Sequence, residues 1–410
     1  MKIKNLRKEQ VGDRVRVVAS LIWEQRKRPD QEIYFETTKE FAKIISCNSN
    51  SFLIPGAITA MYYGESLITI DEEICPLVRE GLITNMNWLS HWNDVECQPI
   101  PIEARNQSIP NKIQLEHRVG SFFSGGIDAL ATLRTNRIEF PLEDPMSIKD
   151  GIIIHGLLGH EQEGDELKLP FQHLINSLQK IAHETKITLI PIYTNVYSHL
   201  KDLDPNYHFW GNYFAGAALA AVAHTLSPRL TEVKVASTLD IPNMQNLASH
   251  PILDQNYSSF NLRIKHDGVT LSRLAKTELL TDWGTSLNNL RVCNKSQSDQ
   301  AHDLNCSRCE KCFRTMLALI ALDIQNQCEA FDFSNLTEES LVSTARVHDY
   351  TLSSYQELLV PLQNQGREDL VRGIKRIIVR YQEKDLKGII KRIDRKLLNR
   401  MIEKKLSTAG

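Results

Sequence analysis

With 410 residues, of which 42% are hydrophobic and 24% charged, the chain has the composition of a soluble globular protein of two or three domains, not of a disordered one. A formal net charge of -2 excludes a molecule-wide attraction to polyanions. The N-terminal MKIKNLRKEQVGDRVRVV is followed by no apolar stretch of signal-peptide type and no run predicts a membrane span, so a cytoplasmic location without a membrane partner is expected.

Residues 1–117 are expected to form a separate N-terminal α+β domain. Strands are predicted at RVRVVASLIWE and EIYFETT, joined by the turn-prone RKRPDQ. Apolar residues at helical spacing predict helices around FLIPGAITAMYY and CPLVREGLITNMNWLSHW, and VECQPIPIEA reads as an extended closing strand. From Arg118 short apolar strands alternate with helices: VGSFF then DALATLRTN, GIIIHG then QHLINSLQKIAHE, ITLIPIYT then FAGAALAAVAHTL, and finally VKVAST. That rhythm predicts a parallel sheet with helical crossovers, whose strands lose polar alternation because both faces are buried. After Ser249 the rhythm gives way to expected loops, a cysteine cluster and a helix around RTMLALIALDIQ. Residues 118–330 are thus expected to be an α/β domain and 331–410 a helical C-terminal region. From Arg367 to Lys405 fourteen Lys or Arg stand against six Asp or Glu, so the tail helices present a basic face and the preceding chain is acidic.

The segment Ser121-Phe-Phe-Ser124-Gly125-Gly126-Ile127-Asp128 falls where a strand ends and a helix begins. Paired glycines let the backbone turn there without a Cβ clash, and amides at a helix start point at an anion. Ser124 offers a hydroxyl donor, and Asp128 either caps the helix or helps to hold the Mg²⁺ that accompanies ATP. The plain alternative is a strand-to-helix turn punctuated by glycine. The SGG-x-D motif resembles the signature of the PP-loop ATP pyrophosphatases. The resemblance implies a parallel-sheet, Rossmann-like fold of the adenine nucleotide alpha hydrolase type, ATP cleaved between its α and β phosphates, and AMP transferred to a substrate oxygen. It also implies nucleotide contacts at Ser124, Gly125, Gly126, Ile127 and Asp128, with adenine near His155 at the end of the second strand of the α/β domain. The residues alone read His155 equally as a nucleotide contact or as a strand end. Where the family pattern continues with Ser or Thr, this chain has Ala129.

Eight cysteines without a signal peptide point to thiols or metal ligands more than to disulfides. Cys47, Cys75, Cys97 and Cys328 are scattered and are expected to be buried packing residues. Cys293, Cys306, Cys309 and Cys312 form C-x12-C-x2-C-x2-C, a spacing that lets thiolates converge on one tetrahedral ion. A closed structural Zn²⁺ site is the expectation; an iron–sulfur cluster and free redox thiols are its rivals. The glycine motif, this cluster and Arg314 on the following helix together resemble the 7-cyano-7-deazaguanine synthase branch, over roughly Arg118 to Leu322. By that resemblance VKVASTLD and LAKTELL take the places of a substrate loop and a Lys-Glu helix, and Arg273 and Lys276 neutralise the departing pyrophosphate. Read as residues alone, that pair sits on one helix face and has a solvated surface as its alternative. Thr238, Asp240, Ser249, His250 and Asp254 lie beyond the carboxyl end of a strand, where ligands of open α/β sheets bind, and form the expected substrate wall. IPNMQNLASHPILDQNYSSF departs from the tyrosine- and proline-rich stretch of the branch and implies a different substrate.

The expectation is an ATP-dependent enzyme that adenylates a carboxylate or amide oxygen of a small molecule, releases pyrophosphate and forms an amide, nitrile or related product. The alternatives are a tRNA-modifying enzyme that grips phosphates with its basic tail, and a ligase joining a deazaguanine-like carboxylate to a protein partner, as in antiviral defence. A catalytically silent nucleotide-binding module is the fourth reading, and a homo-oligomer is compatible with all of them.

Overall fold

The computed structural model describes residues 1–93, 97–108, 116–157, 168–293 and 304–397, with side chains omitted at 168–170 and from 384 onward. The chain divides into two compact units, Met1–Leu271 with Asn289–Arg291, and Ser272–Asn288 with Val292–Gly410.

Among the described residues the first unit contains ten strands. They are β1 (Lys2–Val11), β2 (Arg14–Ile22), β3 (Gln31–Thr38), β4 (Ile68–Ile74), β5 (Ile102–Asn106), β6 (Val119–Phe122), β7 (Ile148–His155), β8 (Thr188–Thr194), β9 (Glu232–Ala236) and β10 (Arg263–Asp267). Its helices are α1 (Asn50–Tyr62), α2 (Pro76–Trp92), α3 (Ile127–Glu139), α4 (Lys168–Thr185), α5 (Ala215–Thr225) and the short α6 (Pro251–Asp254). All ten strands join one sheet in the order β10-β9-β6-β7-β8-β3-β2-β1-β4-β5. The five strands from β10 to β8 run parallel, as the apolar runs with helical crossovers require. An antiparallel pairing of β8 with β3, Phe35 opposite Thr194 and Glu36 opposite Tyr193, carries the sheet into the strands of the first 106 residues. Hydroxyls reinforce that seam: Thr37 donates to Pro191 O and Thr194 to Tyr34 O, both at 2.7 Å.

One face of the sheet is covered by α1, α2 and α5. Val17, Phe35, Ile190, Ile192, Val233 and Val235 of the strands form a single core there with Ile54, Ile58, Ala217 and Ala221 of the helices. Each fully buried aliphatic or phenyl side chain contributes roughly 1.5–3 kcal/mol. The small residues of AGAALAAVAHT let α5 approach closely, and nine of its eleven residues are buried. This helix lacks a polar stripe because it has no solvent-facing side.

The second unit is helical: α7 (Arg273–Glu278), α8 (Gly284–Asn288), α9 (Glu310–Ala321), α10 (Glu338–Thr344), α11 (Asp349–Gln356), α12 (Leu359–Asn364) and α13 (Glu368–Leu397). Met316, Leu317, Leu341, Tyr355, Leu362, Leu370 and Ile374 are buried in it. The described part of the basic stretch is engaged locally. Arg372 and Arg376 pair with Glu338 at 3.2 Å, Arg367 pairs with Asp369 at 2.8 Å, and Arg380 donates to the carbonyls of Val342 and Ala345.

Several elements differ from the sequence expectation. β1 and β4 had no counterpart in it, and the stretch after Ser249 read as loop contains α6 and β10. The expected closing strand VECQPIPIEA starts only at Ile102, and part of it lies outside the described residues. Of the four scattered cysteines only Cys75 and Cys328 are buried; Cys97 is half-buried and Cys47 exposed, so packing does not account for Cys47. Among the described residues no helix is long and apolar enough to cross a membrane.

Candidate functional site

The glycine loop follows β6, which lies between β9 and β7 in the parallel part of the sheet. Phe123 N–H donates to Ile152 O at 2.8 Å and so ties the chain to β7 one residue before the turn. Ser124 is exposed, and Gly125 takes φ +77, a left-handed conformation that L side chains disfavour. Gly126 is extended at φ -81 and ψ 163 and serves as the N-cap of α3, its carbonyl accepting from Leu130 N–H at 3.0 Å. Its own amide donates to Ser124 Oγ at 3.4 Å. Ile127 is fully buried and anchors the first turn, while Asp128 is half-buried beside it. Arg291 N–H donates to Gly125 O at 2.9 Å and so braces the loop, while Asn289 of the same segment accepts from Ser177 Oγ of α4 at 2.8 Å. The loop thus leads into the N-terminus of a thirteen-residue helix, whose dipole favours an anion.

His155, at the end of β7, packs edge-on against Phe171 with ring centroids 5.0 Å apart and lies 5.7 Å from Tyr193. The Arg14 guanidinium covers the other ring, 3.6 Å from the Tyr193 centroid. Burial, and secondarily the charges of Arg14, Lys201 and Arg291, lower the His155 pKa to about 4, so the imidazole is neutral at physiological pH. An aromatic wall with a neutral ring suits a flat heterocycle as well as it suits a packed strand end.

Residues of the expected substrate wall fall into two groups. Thr238 is exposed, and Asp240 accepts from Asn243 Nδ2 at 2.7 Å, both on the loop leaving β9. Ser249, His250 and Asp254 come together around α6. His250 caps that helix, its Nδ1 accepting from Ile252 N–H at 3.0 Å, and stands edge-on to Trp92. Burial lowers its pKa. Asp254 is 1% exposed and accepts from Ser249 Oγ at 2.8 Å and from the His250 amide at 3.3 Å. Its third partner is His266 of β10, whose Nδ1 lies 2.7 Å from Asp254 Oδ2. The sequence reading missed His266 because it took this stretch as loop; the alternation of NLRIKHD was the available signal for a strand.

The four clustered cysteines belong to the second unit, and their sulfurs lie within 4.8 Å of one another. Contacts of 3.4 Å (Cys293–Cys306), 3.8 Å (Cys293–Cys309), 3.9 Å (Cys306–Cys312) and 3.5 Å (Cys309–Cys312) match a tetrahedron. Four thiolates about 2.3 Å from a zinc ion are about 3.8 Å apart. Asn305 shapes the first arm by accepting from the amides of Val292 and Cys293 at 2.9 and 3.3 Å, Ser307 adopts φ +52, and Cys309 is the N-cap of α9. The Cys293 sulfur bonded to it, together with burial, pushes the Cys309 thiol up to about 11, and Cys293 and Cys309 raise Cys312 as well. A divalent ion bound here displaces those protons, so the donor set fits a metal ion such as zinc.

Of the two expected cations, Arg273 is half-buried and Lys276 only 1% exposed, on α7 of the second unit. The Ser272 hydroxyl caps α7 by accepting from Ala275 N–H at 3.2 Å, and Glu357 accepts from the Leu274 amide at 3.0 Å. Lys276 is therefore not part of a solvated helix surface.

No family model matches the chain, and neither a curated protein nor a solved structure matches it.

Proposed function

We propose that the chain is an ATP-dependent, AMP-forming enzyme of the PP-loop class that adenylates a carboxylate or amide oxygen of a small molecule. The observation that carries this reading is the Ser124–Gly126 turn between a buried parallel strand and a helix N-terminus, with Asp128 in the first helical turn. In this proposal the backbone amides and Ser124 Oγ hold the phosphates and keep the α phosphate in line with the substrate oxygen. Mg²⁺, when bound, would share the phosphate charge, with Asp128 as its protein partner. The adenylate then passes its acyl group to an amine, giving an amide or a related product, as in 7-cyano-7-deazaguanine synthases. The cysteine site, whose four positions are all taken by protein ligands, orders its loop and takes no part in the chemistry.

The test is calorimetric binding of α,β-methylene-ATP with Mg²⁺ to the wild type, Gly126→Val and Asp128→Ala. Saturable binding by the wild type and a loss of at least tenfold in both folded variants supports the assignment. Equal binding by all three proteins overturns it.

A further inference from the structure

We propose that His266, oriented by Asp254, is the base that takes the proton of the incoming amine in the second half of the reaction; this rests on the adenylating function proposed above. Three features carry it. His266 stands at the carboxyl end of β10 opposite Val235 of β9, and β9 borders β6, which leads into the glycine loop. Two strand spacings, about 10 Å, separate β10 from β6, so His266 and the loop share the sheet edge at which open α/β proteins bind ligands.

The second feature is the fixed tautomer. Asp254 also accepts from Ser249 Oγ and the His250 amide, and the 2.7 Å contact with His266 fits a third donor, with the hydrogen on Nδ1 and the lone pair on Nε2. Among the described residues Nε2 has no hydrogen-bond partner. The third feature is how firmly the carboxylate is seated. Ser249 Oγ and the His250 amide occupy it as well, and α5 presses so close that a Cβ on Gly216 would lie 2.6 Å from Asp254 Oδ1. His250 also feels both groups, its charge disfavoured by His266 and favoured by Asp254, and the one ion-pair partner of His266 among the described residues is Asp254. The ring is therefore held on its Nδ1 side by a buried carboxyl group. Ser249 donates to Asp254 and not to His266, so the order is not that of a nucleophilic serine triad.

The step is a proton transfer coupled to acyl transfer. The amine nitrogen attacks the acyl carbon of the adenylate and the C–N bond forms. The C–O bond to AMP breaks, with its electron pair leaving on the AMP phosphate, and the proton shed by nitrogen passes to His266 Nε2. Asp254 is a positioning residue.

His266→Asn separates this role from a structural one, because the Asn amide replaces the Nδ1–H donor to Asp254 and supplies no base. With ATP, Mg²⁺, 7-deazaguanine-7-carboxylic acid and ammonium as probes, pyrophosphate exchange into ATP reports adenylation and amide production reports the second half. His266→Asn is expected to keep exchange within about twofold and to slow amide formation roughly 100- to 1000-fold, with partial rescue by added imidazole. Loss of both activities together, or of neither, overturns the proposal. If the wild type exchanges no pyrophosphate with this acid, the functional reading fails on that probe, and ¹⁵N NMR of the His266 ring then tests separately the tautomer that a base needs. An unprotonated Nε2 in the neutral ring, lost as a single tautomer in Asp254→Asn, upholds the orientation by Asp254, and a protonated Nε2 in the neutral ring overturns the proposal.

Discussion

Gly125→Ala and Gly126→Ala differ by one position, and the loop geometry makes opposite demands on them. At Gly125 an alanine must hold φ +77, which costs about 1–2 kcal/mol for an L residue. Its Cβ would also lie 2.9 Å from Leu178 Cδ2 and 3.5 Å from Arg291 Cβ. The first contact is the far end of a flexible side chain, so repacking adds on the order of 0.5–1 kcal/mol. At Gly126, φ is -81 and the nearest atom to a new Cβ is Ser124 Oγ at 3.4 Å, so the cost is within about 0.5 kcal/mol. For a folded unit of this size a loss of about 2 kcal/mol lowers the melting temperature by about 4 °C. Scanning calorimetry on the wild type and both variants is the assay. A Gly125→Ala protein as stable as the wild type, or a Gly126→Ala protein destabilised as much as Gly125→Ala, refutes the loop conformation from which the phosphate site is argued.

Elemental analysis is expected to find one zinc per chain, with Cys309→Ser losing metal and melting at lower temperature; stoichiometric iron with visible charge-transfer bands contradicts the closed zinc site. Gly216→Ala is expected to cost about 2 kcal/mol or more in thermal stability, because its Cβ would meet Ala248 O at 2.5 Å and Asp254 Oδ1 at 2.6 Å; an unchanged melting temperature would show that α5 does not press on the Asp254 seat. His155, His199 and His224 are each lowered from 6.5 to about 4, chiefly by burial. The unfolded chain therefore binds more protons than the folded one between these values, so this part of the stability is complete above about pH 6.5 and is lost as pH falls toward 4. Thermal melts from pH 7.5 to 4.5 should show that decline, and a flat profile in this window would contradict the buried, neutral imidazoles.

The parallel strands were legible because each is a short apolar run set between helical patterns, and β6, β7, β8 and β9 fall where VGSFF, GIIIHG, ITLIPIYT and VKVAST stand. β1 and β4 were not legible, since KIKNLRKEQV and ITIDEEI carry charges on exposed positions and look like solvated chain until a neighbouring strand covers the other face. That the first 106 residues continue the same sheet depends on Phe35 and Glu36 meeting Thr194 and Tyr193, a pairing across more than 150 residues that no local pattern reports. The site shows the same division. The glycine loop and the four cysteines announce themselves by spacing, whereas Asp254 and His266 are joined only because α6 lies against β10. His250 and Asp254, expected on the substrate wall, are buried, the first as a helix cap and the second as an acceptor for three donors.

An enzyme of the proposed kind splits ATP between its α and β phosphates. The direct measurement is chromatographic identification of the nucleotide products formed from ATP and Mg²⁺ with 7-deazaguanine-7-carboxylic acid and ammonium, for the wild type and for folded Gly126→Val. The account predicts AMP and pyrophosphate in equal amounts from the wild type and neither from the variant. ADP and phosphate as products, or AMP formation undiminished in Gly126→Val, would contradict it.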